Sequence, residues 1–329
     1  MQQVQFLCRS LLWVVIAICA TSTSLWAQSN SNYPNKPIKL VVGFPPGASS
    51  DVLARLLATR LGESLGQPIT IENRPGAGSN LGADAVARSA PDGYTLLLTT
   101  VANAINATLM PSASFDILRD FAPIGIVASV PNLLVVHPSV NVKSVQELIA
   151  LAKSKPSSVI YASSGNGTGT HLAAELFNNM ADIQMMHVPY KGSPQAVTDL
   201  IAGRVMVMFA PTSSVLQHIK AGSLKALATT GAQRTASAPE LPTVAESGLA
   251  GFEASVWFGL MAPKGTTPDL IERLNRETAK LFTNEKWKEQ LAAQGMDPLT
   301  SSSEKFAEYL RADTAKWARI IKSAGVKAD

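Results

Sequence analysis

The sequence predicts an α/β fold in which helices cover a largely parallel sheet. Three observations predict it. Short apolar runs rich in β-branched residues alternate with stretches of helical period along most of the chain. The unit of strand, small-residue loop and helix occurs twice in closely similar form, once after Val42 and once after Tyr161. The 329 residues are 46% hydrophobic and only 16% charged, which describes a globular chain long enough for two domains.

The first 27 or so residues read as an export signal. Arg9 supplies the positive charge, and Leu11 to Ala20 is an apolar run too short to span a bilayer. Cleavage is expected near Ala27, although Leu25 departs from the preferred small residue. Both cysteines, Cys8 and Cys19, lie in this segment, so the exported chain carries no disulfide and no thiol chemistry. Ile18 argues against Cys19 as a lipid acceptor, because lipoprotein processing wants a small residue there. The formal net charge of +4 falls by one with Arg9 to +3, and it is scattered among acids. A nucleic-acid partner would need a basic stripe, so none is expected. No later apolar run approaches the length of a membrane span, so the product is expected to be exported, soluble and not membrane-embedded.

The first strand is Ile38 to Val42 and the first helix Asp51 to Leu65, with Leu53, Leu56, Leu57, Leu61 and Leu65 at three- and four-residue steps. Between them Pro45 and Pro46 stiffen the loop, and Ser49 or Ser50 is a suitable N-cap. Gly47, Ala48 and Ser49 then offer backbone N–H groups at a helix N-terminus, which favours an anion. The plain alternative is a tight connection that binds nothing, and the loop alone leaves both open. A second strand spans Ile69 to Glu72, followed by the Gly-rich loop Asn73 to Asn80, a small helix through Ala87, an Asp92-Gly93 turn and a strand from Tyr94 to Thr99.

Asn103 to Pro123 reads as irregular, and Ile124–Val127 and Leu133–Val136 as two strands. Ser144 and Glu147 form a capping-box pattern for a helix through Lys153. After the strand Val159 to Tyr161, the loop to His171 holds Gly165, Gly167 and Gly169 with the hydroxyls of Ser164, Thr168 and Thr170. It is the second candidate for an anion, with Thr170 as N-cap of a helix whose apolar face is Leu172, Leu176, Phe177 and Met180. Met185–Val188 is a strand, Tyr190-Lys191-Gly192 a turn, and Ser193 caps a helix with Pro194 at its first position. Val205–Phe209, Ala226–Thr229 and Val256–Met261 read as strands, and Ser213–Ala221 as a helix. The last third is helical: Pro268–Leu281, a segment around Trp287, and Ser303–Ser323 with Phe306, Leu310, Trp317 and Ile321 on one face.

Catalytic and cofactor signatures are missing. Gly165-x-Gly167-x-Gly169 is not the dinucleotide spacing, and no Gly-Lys-Ser/Thr follows a glycine loop. No Gly-x-Ser-x-Gly elbow or His-Glu-x-x-His occurs, and the four histidines (His137, His171, His187, His218) are scattered singly. No metal, cofactor or enzymatic activity is therefore expected. Asp51 lies in a first helical turn, where the dipole accounts for an acid. Lys191 is the cation of a candidate loop, Tyr190 either packs or donates to a ligand, Arg74 either binds an acid or fixes its loop, and Trp257 reads as core.

Several stretches in order resemble one family. They are Tyr33-Pro34 with Lys36-Pro37-Ile38, Phe44-Pro45-Pro46-Gly47 with Asp51, Glu72 to Gly78, Pro91 to Leu96, Ser164-Gly165 with Gly167-Thr168, and His171-Leu172-Ala173. Val188 to Gly192, Asp199-Leu200 with Gly203, Leu241-Pro242-Thr243 with Glu246 and Gly248, and Trp257 with Gly259-Leu260 complete the pattern. The chain resembles the exported solute receptors of tripartite tricarboxylate transport systems, the Bug or TctC-like proteins. The resemblance implies a two-lobed periplasmic-binding-protein type II fold with the ligand cleft between the lobes. Lobe 1 is expected over 31–128 with 256–329, and lobe 2 over 129–255. It further implies a monomeric receptor for a small organic carboxylate, without cofactor, that serves cognate membrane permease subunits. The ligand is expected at Phe44, Pro46, Gly47, Ala48, Ser49 and Ser50 of one loop and at Ser164, Gly165, Asn166, Gly167 and Thr168 of the other, with Asn103, Tyr190 and Lys191 nearby. Three positions depart from the family pattern: Ala48 and Ser79 stand where glycine is common, and Asn103 where histidine is frequent. A periplasmic enzyme on the same scaffold, or a ligand-sensing partner of a membrane signalling protein, are the alternatives.

Overall fold

The computed structural model describes residues 33–327. The export signal, its cleavage near Ala27, and Cys8 and Cys19 lie outside the described residues. Tyr33 to Asn35 include a cis peptide bond before Pro34, and one compact unit begins at Lys36.

Strands β1 (Ile38–Val42), β2 (Ile69–Asn73) and β3 (Thr95–Thr100) run parallel in the order β2-β1-β3. Helix α1 (Ser49–Leu65) follows β1, α2 (Asn80–Ala87) follows β2, and α3 (Val101–Leu109) follows β3. Val41 and Leu97 share a core with Ala83 and Val86 of α2 and with Ala104 and Ile105 of α3. Successive side chains alternate across a strand, so Leu40 and Val42 face the other way, toward the side that α1 covers. The carboxyl ends of β1 and β3 are thus flanked by helix N-termini from opposite faces, the crevice in which open α/β sheets hold ligands.

Strand β4 (Phe121–Val136) is a single 16-residue strand where the sequence suggested two. The apparent break at Ala128–Asn132 is a change of partner. The first part of β4 pairs antiparallel with β9 (Ser255–Pro263), and Leu133–Val136 pair with β7 (Val207–Pro211) and β8 (Lys225–Thr229). Strand β5 (Ile160–Ser163) runs parallel to β6 (Met186–Pro189) and to β7, and β10 (Asp297–Pro298) pairs with β4. The sheet therefore has two halves continuous through β4, each with its own helices, which form two lobes. The chain returns between them before β9, where Thr230 Oγ1 accepts from the Asn132 amide at 2.9 Å and donates to the Ala254 carbonyl at 3.0 Å.

The remaining helices are α4 (Val145–Ser154), α5 (Gly169–Ala181), α6 (Ser193–Ile201), α7 (Thr212–Lys220), α8 (Pro268–Leu281), α9 (Glu285–Ala293) and α10 (Ser303–Ala324). Helix α10 packs on α3, α5 and β4, so the C-terminal helix touches elements of both halves. Its residue Asp313 is buried and accepts from the indoles of Trp257 at 2.7 Å and Trp317 at 2.9 Å, which puts Trp257 in the core. Helix α3 replaces the irregular stretch the sequence suggested from Asn103. Thr100 Oγ1 accepts from the Ala102 amide at 3.1 Å and Asn103 Oδ1 from the Thr100 amide at 3.3 Å, a reciprocal cap. Asparagine weighs against a helix interior but suits its first turn, and here that position decides.

Candidate functional site

Both predicted loops lie at carboxyl ends of parallel strands and open helices. In the first, the N-cap of α1 is Ala48, which has no side chain to cap with; neither Ser49 nor Ser50 takes that role. Asp51, one turn in, reaches back instead, and its Oδ2 accepts from the Gly47 amide at 2.9 Å. A carboxylate accepts more strongly than a hydroxyl, which is why the serines are not needed. The Gly47 amide is therefore engaged, and the Ala48 amide donates to the Pro45 carbonyl at 3.2 Å. The amides without a helical partner move inward to Ser49 and Ser50. Ser50 Oγ is buried with no hydrogen-bond partner.

Asp51 anchors the whole loop. Asn73 Nδ2 donates to Asp51 Oδ1 at 2.9 Å and to the Phe44 carbonyl at 3.0 Å, tying the end of β2 to the loop. Arg55 adds a two-pronged contact at 2.9 and 3.0 Å. Burial on its own would raise the Asp51 carboxyl's pKa, but the bonds from Arg55, the Gly47 amide and Asn73 outweigh it and hold the group below the usual carboxylate range. Asp51 is thus a buried structural anion. Arg74 pairs with Glu72 and donates its amide to the Val42 carbonyl at 2.8 Å, so it too fixes a loop.

In the second loop the N-cap of α5 is Thr168, whose Oγ1 accepts from the His171 amide at 3.4 Å. Thr170, the expected cap, is inside the helix, and its Oγ1 accepts from the Ser164 amide at 2.9 Å and lies 2.8 Å from Ser164 Oγ. Positive φ at Gly165 (132°) and Gly167 (68°) folds the loop over these hydroxyls. The Gly165 amide donates to Ser163 Oγ at 3.2 Å and the Gly167 amide to His171 Nδ1 at 3.0 Å. Asn166 sits half-buried at the loop tip.

The two halves meet beside these loops. A Cβ built on Gly167 would lie 2.3 Å from Leu109 Cδ1 of α3, and one built on Gly169 would lie 3.6 Å from Val101 Cγ1. Ser49 Oγ is 3.4 Å from Ser213 Oγ at the start of α7. The segment Pro211-Thr212-Ser213 was not singled out in the sequence, although it has the same strand-then-small-residue pattern as the other loops. Phe44 is half-buried and Pro46 exposed.

Asn103 is fully buried, and its Oδ1 faces Thr99 Oγ1 at 3.1 Å and Ser79 Oγ at 3.4 Å as well as the Thr100 amide, while Nδ2 has no partner. Ser79 adopts a left-handed φ of 83° beneath Gly43, where a Cβ would come within 1.9 Å of Ser79 Oγ. Tyr190 is joined to the second loop by its amide, which donates to the Ser163 carbonyl at 3.1 Å, but its hydroxyl donates to Asp199 at 2.8 Å, away from the loop. Lys191 is exposed. A hollow of about 670 Å³ borders α1, β2 and the turn through Gly66, Gln67 and Pro68 between them and shares no residue with either loop. Among the described residues no group of three or more His, Cys, Asp and Glu could hold a metal ion, and no helix is long and apolar enough to cross a membrane.

Comparison with known proteins follows the same outline. The family model described as "Tripartite tricarboxylate transporter family receptor" matches residues 53–326. Protein BugT of Bordetella pertussis is 40% identical over 319 residues, covering 96% of this chain and 98% of BugT. A solved structure of R. palustris Rpa4515 with adipate superposes with a TM-score of 0.80 at 35% identity, covering 90% of this chain and 99% of that one. MatC from Rhodopseudomonas palustris with bound malate gives a TM-score of 0.76 at 27% identity, covering 88% of this chain and 100% of that one.

Proposed function

Because this chain belongs to the tripartite tricarboxylate transporter receptor family, we propose that it captures a small organic carboxylate in the periplasm, between two lobes, and delivers it to a membrane permease. Within the described unit, lobe 1 comprises 36–128 with 256–327 and lobe 2 comprises 129–255, hinged where β4 changes partner and where the chain returns through Thr230. A carboxylate bridges the N-termini of α1 and α5: Ser49 and Ser50 offer amides from one side, and the Ser164 hydroxyl with the first-turn amides of Gly169 and Thr170, held in place by the Ser164–Thr168 loop, offers donors from the other. Phe44 shields the ligand body and Ser213 joins from α7, while Asn103, buried behind the site, supports it through Ser79 and the cap at Thr100.

The observation that carries this reading is that helix N-termini of the two sheet halves come together: α1 reaches α7 at Ser49 and Ser213, and α5 lies against α3 at Gly169 and Val101. Binding by neutral donors suits a ligand that must also be released. Adipate and malate in two relatives make aliphatic dicarboxylates the first class to test. Mass spectrometry of small molecules released from the purified protein, followed by thermal-shift titration of the stripped protein with adipate, malate and aromatic acids, tests it. A stoichiometric carboxylate, or a saturable rise in melting temperature, is expected; no binding by any class of small carboxylate overturns the proposal.

A further inference from the structure

Beneath the second loop lies a ladder of rings, buried at Tyr161 and His171 and half-buried at His187, that carboxylate capture does not itself use. The rings of His171 (α5) and His187 (β6) stack with centroids 3.9 Å apart and planes 9° from parallel, and His187 stacks in turn on Tyr161 (β5) at 4.8 Å. The Tyr161 hydroxyl donates to Glu175, whose Oε1 is 3.9 Å from His171 Nε2. The ladder grips the loop at two points. His171 Nδ1 accepts the Gly167 amide, and His187 Nε2 shares a 2.7 Å hydrogen bond with Ser163 Oγ, which accepts the Gly165 amide.

The first grip fixes a protonation state. An N–H cannot accept from another N–H, so His171 Nδ1 must be bare and its proton must sit on Nε2, toward Glu175. A proton added to Nδ1 would replace the bond by a donor facing a donor at a buried amide. It would also place a cation flat against a second imidazole. Titratable groups that face His171 include Glu175 on its own helix, His187 on β6 and Tyr161 on β5. Of the other elements packed against α5, β7 and α3 give apolar side chains such as Val207, Phe209, Val101 and Ile105 to the core, and α10 carries the buried Asp313, which the Trp257 and Trp317 indoles hold.

We propose that His171 is a positioning residue for carboxylate capture: its unprotonated Nδ1, braced by His187, holds the Gly167 amide and so the Ser164–Thr168 loop, and acidification releases that loop and weakens binding. The inference rests on the carboxylate reading above for its consequence, but not for its geometry.

Two measurements on the full exported chain decide it. The first needs no ligand. Long-range ¹H–¹⁵N correlations on the unliganded protein are expected to show His171 as the Nε2–H tautomer at pH 7.5. Protonation of Nδ1 is expected to move the Gly167 amide signal in step, and exchange protection of Gly167 is expected to fall in His171→Leu. A His171 that carries its proton on Nδ1, or a Gly167 amide indifferent to it, overturns the proposal whatever the protein binds. The second titrates adipate between pH 8 and pH 5.5. His171→Asn can place Oδ1 where Nδ1 was, so it is expected to bind within about twofold of wild type at pH 7.5 and to follow only the titration of adipate itself. His171→Leu is expected to bind about tenfold more weakly at pH 7.5, the scale of one buried donor left unpaired. Wild type is expected to weaken on acidification beyond the His171→Asn series. Equal loss in both variants, or wild-type binding that strengthens as the imidazole charges, overturns the proposal. Failure of adipate to bind bears on the carboxylate reading alone, because the resonance measurement still decides the role of His171.

Discussion

Replacing Asp51 by alanine removes a side chain whose position in the sequence suggests little more than a helix-dipole acid. The structure assigns it much more. Its buried carboxylate holds the Gly47 amide, Asn73 and Arg55 at once, and through Asn73 also the Phe44 carbonyl. The two bonds from neutral donors to a charged acceptor are each worth about 1.5 kcal/mol. The interaction with the helix N-terminus adds about 0.5 kcal/mol. The Arg55 side chain is 57% exposed, so solvent screens its pair with Asp51 and the pair adds little. Relief of the desolvation of the carboxylate returns part of this, and the net loss expected for Asp51→Ala is about 2–3 kcal/mol. Urea unfolding of Asp51→Ala and Arg55→Ala side by side measures it, with Arg55→Ala expected to stay close to wild type and clearly more stable than Asp51→Ala. Affinity for the bound carboxylate is expected to fall about tenfold or more in Asp51→Ala, since the loop from Phe44 to Ala48 loses its anchor. The pH dependence has a fixed sign. The folded-state pKa of Asp51 is depressed, so its contribution is present above the ordinary carboxyl pKa and is lost as pH falls through the lower folded value. If Asp51→Ala is no less stable than Arg55→Ala, or if the gap between Asp51→Ala and wild type persists unchanged in strong acid, the assignment is refuted.

Gly167→Ala is expected to cost about 1–2 kcal/mol, because φ is 68° there, and to weaken carboxylate binding as the new methyl displaces Leu109; equal stability and affinity in the variant count against a fixed loop. Asp313→Ala leaves the Trp257 and Trp317 indoles without their acceptor, at about 1–3 kcal/mol for each buried donor, and a melting temperature within a degree of wild type contradicts this. Burial raises the Asp297 carboxyl's pKa despite hydrogen bonds from Thr235 and the Ala236 amide. Its favourable, protonated contribution is complete below the ordinary carboxyl pKa and is lost as pH rises through the folded value. Asp297→Asn is therefore expected to melt higher relative to wild type at neutral pH than near pH 4, and calorimetry at both pH values checks the sign.

Much of the fold was legible because it rests on local periodicity. The leucine spacing of α1, the apolar face of α10 and the run Ile38–Val42 each name their own burial. Caps were less legible. Ser49, Ser50 and Thr170 have capping chemistry, yet Asp51 and Thr168 do the work, since a cap is chosen by which acceptor reaches the first-turn amides in three dimensions. Helix α3 was hidden by its asparagines, and β4 by a change of partner that leaves no mark in the chain. The Ser163-His187 and His171-Gly167 bonds joined residues that were read separately as scattered histidines and a glycine loop.

The sequence by itself determined the α/β class, the two small-residue loops that open helices, the lack of catalytic and cofactor motifs, and a family pattern running through the chain in order. These follow from residue type and short-range spacing, which act through local sterics and burial. Only the tertiary structure decided that the Gly47 and Gly167 amides are engaged internally, that Ser213 stands 3.4 Å from Ser49, that the Tyr190 hydroxyl turns to Asp199, and that two histidines 16 positions apart stack under one loop. Hydrogen bonds and ring contacts depend on distances of a few tenths of an ångström between strands that meet only when the sheet forms, and that information is carried by the packing of the whole chain rather than by any stretch of it.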